Sequence, residues 1–190
     1  LSLAHGDPGH AAIEAALALQ RFTAADDVRE HARAFMLHIE ALLASGQPAA
    51  VAVADLSAFA ERSGSAAARV YAQLARAESG ADTDAAGDAY TVALREADTL
   101  RIPLDLREVV SAYAGWLIGR GDLARAGALA ERVAGSAARD YASALLQLRV
   151  HHALGDEGLW RSALTRVQAL AGERTIPADL LMPPGPPSPR

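Results

Sequence analysis

The chain of 190 residues contains no cysteine, no lysine and no asparagine, and only 5% of its residues are aromatic. Without cysteine there can be no disulfide bond, no thiolate zinc site and no cysteine nucleophile. Without lysine, Schiff-base catalysis, a P-loop lysine and a Ser-Lys dyad are excluded as well. The eighteen basic side chains are therefore all arginine, scattered among 23 acidic residues, and the formal net charge is −5. Because no basic run offers a footprint for nucleic acid, we expect no direct nucleic-acid partner.

The chain also lacks long apolar runs. No stretch approaches the roughly 18 residues that span a bilayer, and residues 1–7 do not combine a basic region with an apolar core. We therefore expect no membrane insertion within this segment and a cytoplasmic location; an upstream targeting or transmembrane segment would make it periplasmic. Since the chain does not begin with Met, we expect it to be a piece of a larger protein.

Alanine, by contrast, supplies 46 residues. It is the strongest helix former, and its small side chain lets helices approach one another closely. Clusters of β-branched and aromatic residues are missing, and no stretch alternates apolar and polar residues over the length of a strand. The sequence therefore predicts an all-α fold.

Four glycines divide the chain at regular intervals. Gly46 and Gly80 are 34 residues apart, as are Gly121 and Gly155, and each follows an apolar pattern of helical period. A helix–turn–helix unit of about 34 residues cannot bury its apolar face alone, so the period predicts stacked hairpins. The interval from Gly80 to Gly121 is seven residues longer, which predicts a longer helix or loop within 81–104 and a bend there.

Short polar residues mark the predicted helix starts. An extra N-terminal helix begins at Pro8, Asp26 or Asp27 caps the next helix, and Asp122 caps a helix that we expect to reach Ala134. We expect the last hairpin to start near residue 137 and the repeat domain to span 1–176. The segment 177–190 is rich in proline, and we expect it to be a disordered tail.

One hairpin carries a family pattern. The motif Y-A-x-x-L-x-x-x-G-D-L-x-x-A-x-x-x-A-x-x-V at residues 113–133 resembles a tetratricopeptide repeat. The other hairpins keep the spacing while their residue identities differ, and Gln147, His151 and Trp160 occupy positions where the family prefers Leu, Tyr and Ala. The resemblance implies a right-handed α-solenoid of about four helix–turn–helix hairpins that follow the extra N-terminal helix.

In that family the first helix of each hairpin lines a concave groove that binds a peptide or a helix. The resemblance assigns to this groove Arg33, Met36, Glu40 and Leu43 from the first full hairpin, Leu74 and Glu78 from the second, Glu108, Ser111 and Ile118 from the third, and Leu145, Arg149 and His152 from the fourth. Such a groove is mixed in charge, so it suits a peptide or helix better than a carboxylate terminus, which needs a basic clamp.

The patterns R-D-Y at 139–141, A-L-G at 153–155 and A-G-E-R at 171–174 are similar to C-terminal repeat regions of GC-rich proteobacterial regulators. The resemblance implies a regulatory segment attached to an output domain. No DNA-reading helix or kinase motif lies within the chain itself.

Histidine and acidic residues give no catalytic or metal signature. His31 and His38 are two helical turns apart, too far for chelation by the pair alone, and we expect a surface or groove role for them. The adjacent His151 and His152 point in directions about 100° apart, and we expect favourable interaction with the helix dipole. The acidic pattern at 82–87 lacks the bidentate Glu of an EF-hand. No G-x-S-x-G motif is present, so we expect no enzyme, no cofactor and no metal.

The sequence thus predicts a non-enzymatic protein–protein interaction or regulatory module of a larger bacterial protein. Two alternatives stay open. One is a small-molecule or signal-sensing domain that controls an attached output domain. The other is a self-association module, in which the terminal hairpin pairs with a second copy because Trp160 or Leu159 is uncovered.

Overall fold

The computed structural model describes residues 8–22, 27–80 and 83–185, and within these ranges it contains α-helices, 3₁₀ turns and no strand. The prediction of an all-α chain is confirmed for this part of the sequence. The helices are α1 (Pro8–Phe22), α2 (Val28–Ala44), α3 (Ala50–Ser63), α4 (Ala66–Ser79), α5 (Asp84–Leu100), α6 (Pro103–Gly119), α7 (Leu123–Glu131), α8 (Tyr141–Leu154) and α9 (Glu157–Ala171). Two 3₁₀ turns are Ala134–Ser136 and Ala178–Leu181. Over the described residues, no helix combines the length and apolar character needed to cross a membrane.

Side-chain caps determine where several helices begin. The Asp27 carboxylate accepts a hydrogen bond from the Glu30 N–H at 3.1 Å, so Asp27 is the cap of α2; the alternative, Asp26, lies outside the described residues. Asp122 and Asp156 cap α7 and α9 in the same way. Each cap satisfies an N–H that has no partner within the helix, and its loss costs about 1 kcal/mol.

The four glycines of the repeat end helices for two different reasons. Gly46, Gly121 and Gly155 have φ angles of +69°, +76° and +72°, a left-handed conformation that strains any residue with a Cβ. Gly80 has a φ of −82°, and a Cβ there would lie 3.1 Å from the Arg76 carbonyl oxygen. The regular spacing of the glycines therefore has two causes, a left-handed backbone at Gly46, Gly121 and Gly155 and a close carbonyl oxygen at Gly80.

The chain divides into two compact units, Leu1–Val109 and Val110–Arg190, and the boundary falls inside α6. In the first unit α2 packs on α1, α3 and α4, and α4 packs on α3 and α5. The interior combines a few large side chains with alanines that let the helices approach closely. The largest fully buried side chains of this unit include Ile39, Leu56, Val70, Tyr71, Leu74, Asp105 and Val109.

In the second unit α8 packs on α7, on α9 and on the 3₁₀ turn at 178–181. The core of this unit, which we call the terminal core, consists of Ala137, Ala144, Leu148, Trp160, Ala163, Val167 and Leu180. Leu180 is 4% exposed, and its carbonyl oxygen accepts a hydrogen bond from the Trp160 indole N–H at 3.0 Å. Leu180 of the expected tail is thus packed, because apolar side chains precede the proline-rich run; residues 186–190 lie outside the described part.

Helix boundaries differ from the expected ones between α7 and α8. We expected α7 to reach Ala134 and its successor to start near residue 137, whereas α7 ends at Glu131 and α8 begins at Tyr141. The later start follows from Asp140, whose carboxylate accepts hydrogen bonds from the Ser143 N–H at 2.8 Å and the Ser143 hydroxyl at 2.7 Å. The longer Gly80 to Gly121 interval contains α5, whose 17 residues exceed the 14 of α3.

Candidate interaction site

Three helices of the first unit bring ionisable side chains together. We call this group the polar cluster. It consists of Arg29, Glu30 and Arg33 from α2, Tyr71 from α4, and Asp105 and Glu108 from the first two turns of α6.

Asp105 is the buried centre of the polar cluster. Its side chain is completely inaccessible to solvent, and Arg29 binds it as a fork: Nη2 lies 2.6 Å from Oδ1 and Nε lies 3.2 Å from Oδ2. This hydrogen bond is the main reason that the pKa of Arg29 rises above its ordinary value. A buried carboxylate needs such pairing, because removing a charge from water costs several kcal/mol.

Tyr71 joins the two carboxyl groups of α6. Its hydroxyl oxygen lies 2.8 Å from Asp105 Oδ1 and 2.8 Å from Glu108 Oε2, so a single hydroxyl serves two acceptors. Burial, followed by the negative charge of Glu108, raises the pKa of Tyr71. The phenol therefore remains a neutral donor, because ionisation would place a third negative charge between two carboxylates.

Arg33 provides the second cation. Its Nε lies 3.1 Å from Glu108 Oε1, and its Nη1 lies 3.7 Å from Glu30 Oε2. Burial alone would lower the pKa of Arg33, but the charge and hydrogen bond of Glu108 outweigh it, and the pKa is raised. Arg29 and Arg33 are four residues apart on α2, so one helical face supplies both guanidinium groups to α6.

Two further carboxyl groups, Glu40 on α2 and Glu78 on α4, form what we call the acidic pair. Burial is the main reason that the pKa of Glu40 rises to about 8. The negative charges of Glu78 and Glu108 also raise it, and the positive charge of Arg33 opposes the rise. Burial raises the pKa of Glu78 to about 7. Both groups therefore retain protons near neutral pH, and a cation that replaced those protons would restore the charged form.

An aromatic group adjoins this part of α2. The His31 ring stacks on Phe59 of α3 with a centroid separation of 4.5 Å and lies 5.2 Å from Phe35. His31 is buried. The expected surface or groove role is therefore wrong for His31, because stacking between α2 and α3 takes its ring out of solvent.

Four of the residues assigned to the groove come together in the first unit. Glu108 pairs with Arg33, and the charges of Glu78, Glu108 and Arg33 all act on Glu40. The remaining three of this unit lie differently: Met36 and Leu74 are core residues, and Leu43 is half-buried.

The residues assigned to the groove in the second unit are less closely associated. Ser111, Ile118, Leu145 and His152 are half-buried, and Arg149 is exposed. Leu145 packs against the terminal core, and the buried Ser111 hydroxyl has no hydrogen-bond partner. A partner-binding role for these five residues stays a prediction.

Sequence reasoning missed Arg29, Tyr71 and Asp105. One local signal was available: Asp105 and Glu108 are three residues apart, hence on one face of α6, and Asp105 interrupts the apolar pattern Leu104-x-Leu106. The partner of that face could not be identified, since Arg29 is 76 residues away along the chain.

The remaining ionisable groups give no metal centre. Within the described ranges, no group of three or more His, Asp or Glu side chains is arranged to hold a metal ion. His151 lies in the last turn of α8 with its Nδ1 buried and without a partner, and burial lowers its pKa. Burial thus opposes the helix-dipole interaction expected for His151. Asp82 of the acidic pattern lies outside the described residues.

Comparison of the chain with protein-family models, with curated proteins and with solved structures finds no match in any of the three.

Proposed function

We propose that the chain is a non-enzymatic protein-interaction module of a larger regulatory protein and that α2, α4 and α6 form its binding face for a peptide or helix. The observation that carries this proposal is the acidic pair beside the polar cluster. Here two half-buried carboxyl groups, whose ionisation burial opposes, lie within electrostatic reach of the ion pair between Arg33 and Glu108.

The choice of helices that supply residues to this face supports a stack of helical hairpins. The polar cluster and the acidic pair come from every second helix, α2, α4 and α6, and α2 also packs directly on α4. In a right-handed solenoid of hairpins, the first helices of successive hairpins line one face and the second helices line the other. This alternation is the arrangement that the tetratricopeptide-like pattern at 113–133 implies.

The charges indicate the kind of partner. Asp105 and Glu108 already have Arg29, Arg33 and Tyr71 as partners. Burial opposes ionisation of both Glu40 and Glu78, and the charge of Glu78 opposes it further at Glu40, so a guanidinium or ammonium group placed beside them would reduce that cost. We therefore propose a peptide or helix that presents an arginine or lysine side chain to the acidic pair.

Selection of a displayed random 12-residue peptide library on the full chain tests the proposal. We expect enrichment of peptides with arginine or lysine, and we expect Glu40→Gln with Glu78→Gln to weaken their binding at least tenfold. Glu61→Gln, at an exposed glutamate of α3, is the matched control and should leave binding unchanged. Failure to enrich any peptide, or equal binding by the double variant, would contradict the proposal.

The acidic pair also allows loss of binding to be distinguished from loss of folding. Replacing a raised-pKa carboxyl by glutamine removes a buried ionisable group while preserving its shape, so we expect unchanged or higher stability at pH 8 together with weaker peptide binding. A variant that lost both binding and its circular dichroism signal would not support the site.

A further inference from the structure

Residues 173–181, which we call the strap, leave the end of α9 and pack on the last hairpin. The Tyr141 hydroxyl on α8 donates to the Thr175 carbonyl oxygen at 3.1 Å, and the Trp160 indole N–H on α9 donates to the Leu180 carbonyl oxygen at 3.0 Å. Both helices of the hairpin therefore hold the strap through its backbone, a form of recognition that depends little on the strap's own side chains.

Two strap side chains complete the packing. Leu180 belongs to the terminal core with Leu148, Trp160 and Val167, and Ile176 packs against the same group. Without the strap, this apolar surface and the Trp160 N–H would face water. The surface on α8 and α9 is thus a binding site for an extended segment, filled by residues of the same chain.

The backbone at Gly172, directly before the strap, is suited to a change in chain direction. Gly172 ends α9 with φ +57° and ψ −122°, a conformation essentially restricted to glycine. Residues 172–175 are exposed, and the anchor nearest the hinge is Arg174, which donates to the Leu170 and Ala171 carbonyl oxygens and lies 4.4 Å over the Tyr141 ring. The five residues 173–177 before the 3₁₀ turn span roughly 17 Å when extended, so the turn at 178–181 can reach a second molecule whose last hairpin lies alongside.

From this geometry we propose that the strap is exchangeable: its site on α8 and α9 accepts the strap of a second copy, and the chain associates by reciprocal exchange. The second copy is the fitting occupant, because its strap makes the same two backbone hydrogen bonds and inserts the same Leu180. Exchange replaces the contacts of Thr175, Ile176 and Leu180 with α8 and α9 by identical intermolecular ones, so the change in chain direction is confined to Gly172 and the adjoining Arg174. The proposal concerns the second unit and is independent of the acidic pair.

Light scattering coupled to size-exclusion chromatography over a dilution series tests the exchange on the full chain. We expect the mass to rise toward twice that of one chain as concentration increases, and Leu180→Asp to stay monomeric over the same range. Leu181→Asp, at the exposed neighbouring leucine, is the matched control for added charge and should still dimerise. A single-chain mass at every concentration, or a Leu180→Asp variant that dimerises as well as the wild type, would overturn the proposal.

Binding of a peptide that contains the strap sequence is the second test of the exchange. A labelled peptide of residues 173–185 should bind the Leu180→Asp chain, whose own strap no longer competes, at least tenfold more tightly than the same peptide carrying Asp at position 180. In a Trp116→Phe background, its binding should shift the emission of Trp160 to shorter wavelength. If Leu180→Asp loses its helical circular dichroism signal, Leu180→Ala replaces it as acceptor. No preference between the two peptides by a folded acceptor would overturn the exchange.

Discussion

The two units differ in how their buried polar groups acquire hydrogen-bond partners. In the first, a fully buried carboxylate is held by an arginine and a tyrosine from two other helices, and the acidic pair lies close by. In the second, the buried Gln147 donates to the Ala130 carbonyl oxygen, the buried Ser143 bonds to Asp140 three residues away, and the terminal core is apolar. Ionic groups brought together from distant helices are sensitive to pH and to charged ligands, whereas neutral polar groups such as Gln147 and Ser143 beside an apolar core mainly determine stability.

The largest effect that tests this comparison is expected at Asp105. Asp105→Ala removes the buried acceptor that Arg29 and Tyr71 share, which leaves Glu30 as the partner of Arg29 and Glu108 as the partner of Tyr71. Loss of one partner of a buried ion pair destabilises by about 3–5 kcal/mol. Urea denaturation followed by circular dichroism measures the change. Asp55→Ala, at an exposed aspartate of α3, is the control and should change the free energy of unfolding by less than about 0.5 kcal/mol. A loss below about 1 kcal/mol for Asp105→Ala would mean that the first unit does not depend on its ionic centre.

The corresponding test of the second unit is Leu180→Ala. Removing most of a buried leucine side chain from the terminal core costs about 2–5 kcal/mol, and we expect the lower part of that range because Leu180 lies in a terminal segment that can collapse onto the gap. The free energy of unfolding from urea denaturation is again the measurement. Leu181→Ala, at the exposed neighbour, should cost less than about 0.5 kcal/mol. Equal effects of the two variants would show that the strap does not complete the core.

The dependence of stability on pH distinguishes the two units further, because the acidic pair lies in the first unit. The folded pKa values of Glu40 and Glu78 are raised above the ordinary carboxyl value, so the folded state holds protons that the unfolded state has lost. Stability contributed by these groups is therefore fully present below about pH 4.5 and declines as the pH rises to about 8. Thermal unfolding between pH 5 and pH 8.5 should show this decline in the wild type and a smaller one in Glu40→Gln with Glu78→Gln. The same slope in both proteins would contradict the assignment to the acidic pair.

The smallest expected effect concerns the glycines. Gly46→Ala forces a Cβ into a left-handed conformation and should cost roughly 1–2 kcal/mol. Gly115→Ala, inside α6 with no atom within 4 Å of the added Cβ, should instead stabilise by roughly 0.5–1 kcal/mol. Thermal unfolding of the two single variants gives the sign of each change. Changes of the same sign would contradict the distinction between turn and helix glycines.

The polar cluster shows how far sequence reasoning could reach toward the site. The tetratricopeptide-like register assigned Arg33, Glu40, Glu78 and Glu108 to a partner-binding groove, which stays a prediction; the structure brings these four side chains within electrostatic reach of one another. The register did not identify Asp105, which looks like one acidic residue in an apolar helix until Arg29 and Tyr71 are placed against it. It also assigned Met36 and Leu74 to the groove, although they are buried. Burial depends on the rotation of each helix about its axis, which packing determines.

The strap shows the same limit for the fold. Composition predicted a disordered tail over 177–190, whereas Leu180 within that segment is buried. Leu180 packs on an apolar surface that includes Trp160, twenty residues earlier in the chain, and its carbonyl oxygen accepts a hydrogen bond from the Trp160 indole N–H. Only a three-dimensional arrangement reveals such a partner.

By itself, the sequence determined the features that local physical chemistry controls. An excess of alanine selects helices, short polar residues such as Asp27 and Asp122 start them by satisfying free N–H groups, and glycine ends them where the backbone turns left-handed. These effects act within a few residues of one another. The tertiary structure alone decided how the carboxyl groups are paired and how readily they ionise, since the pKa of Glu40 and the pairing of Asp105 with Arg29 depend on the burial and charge that distant helices impose.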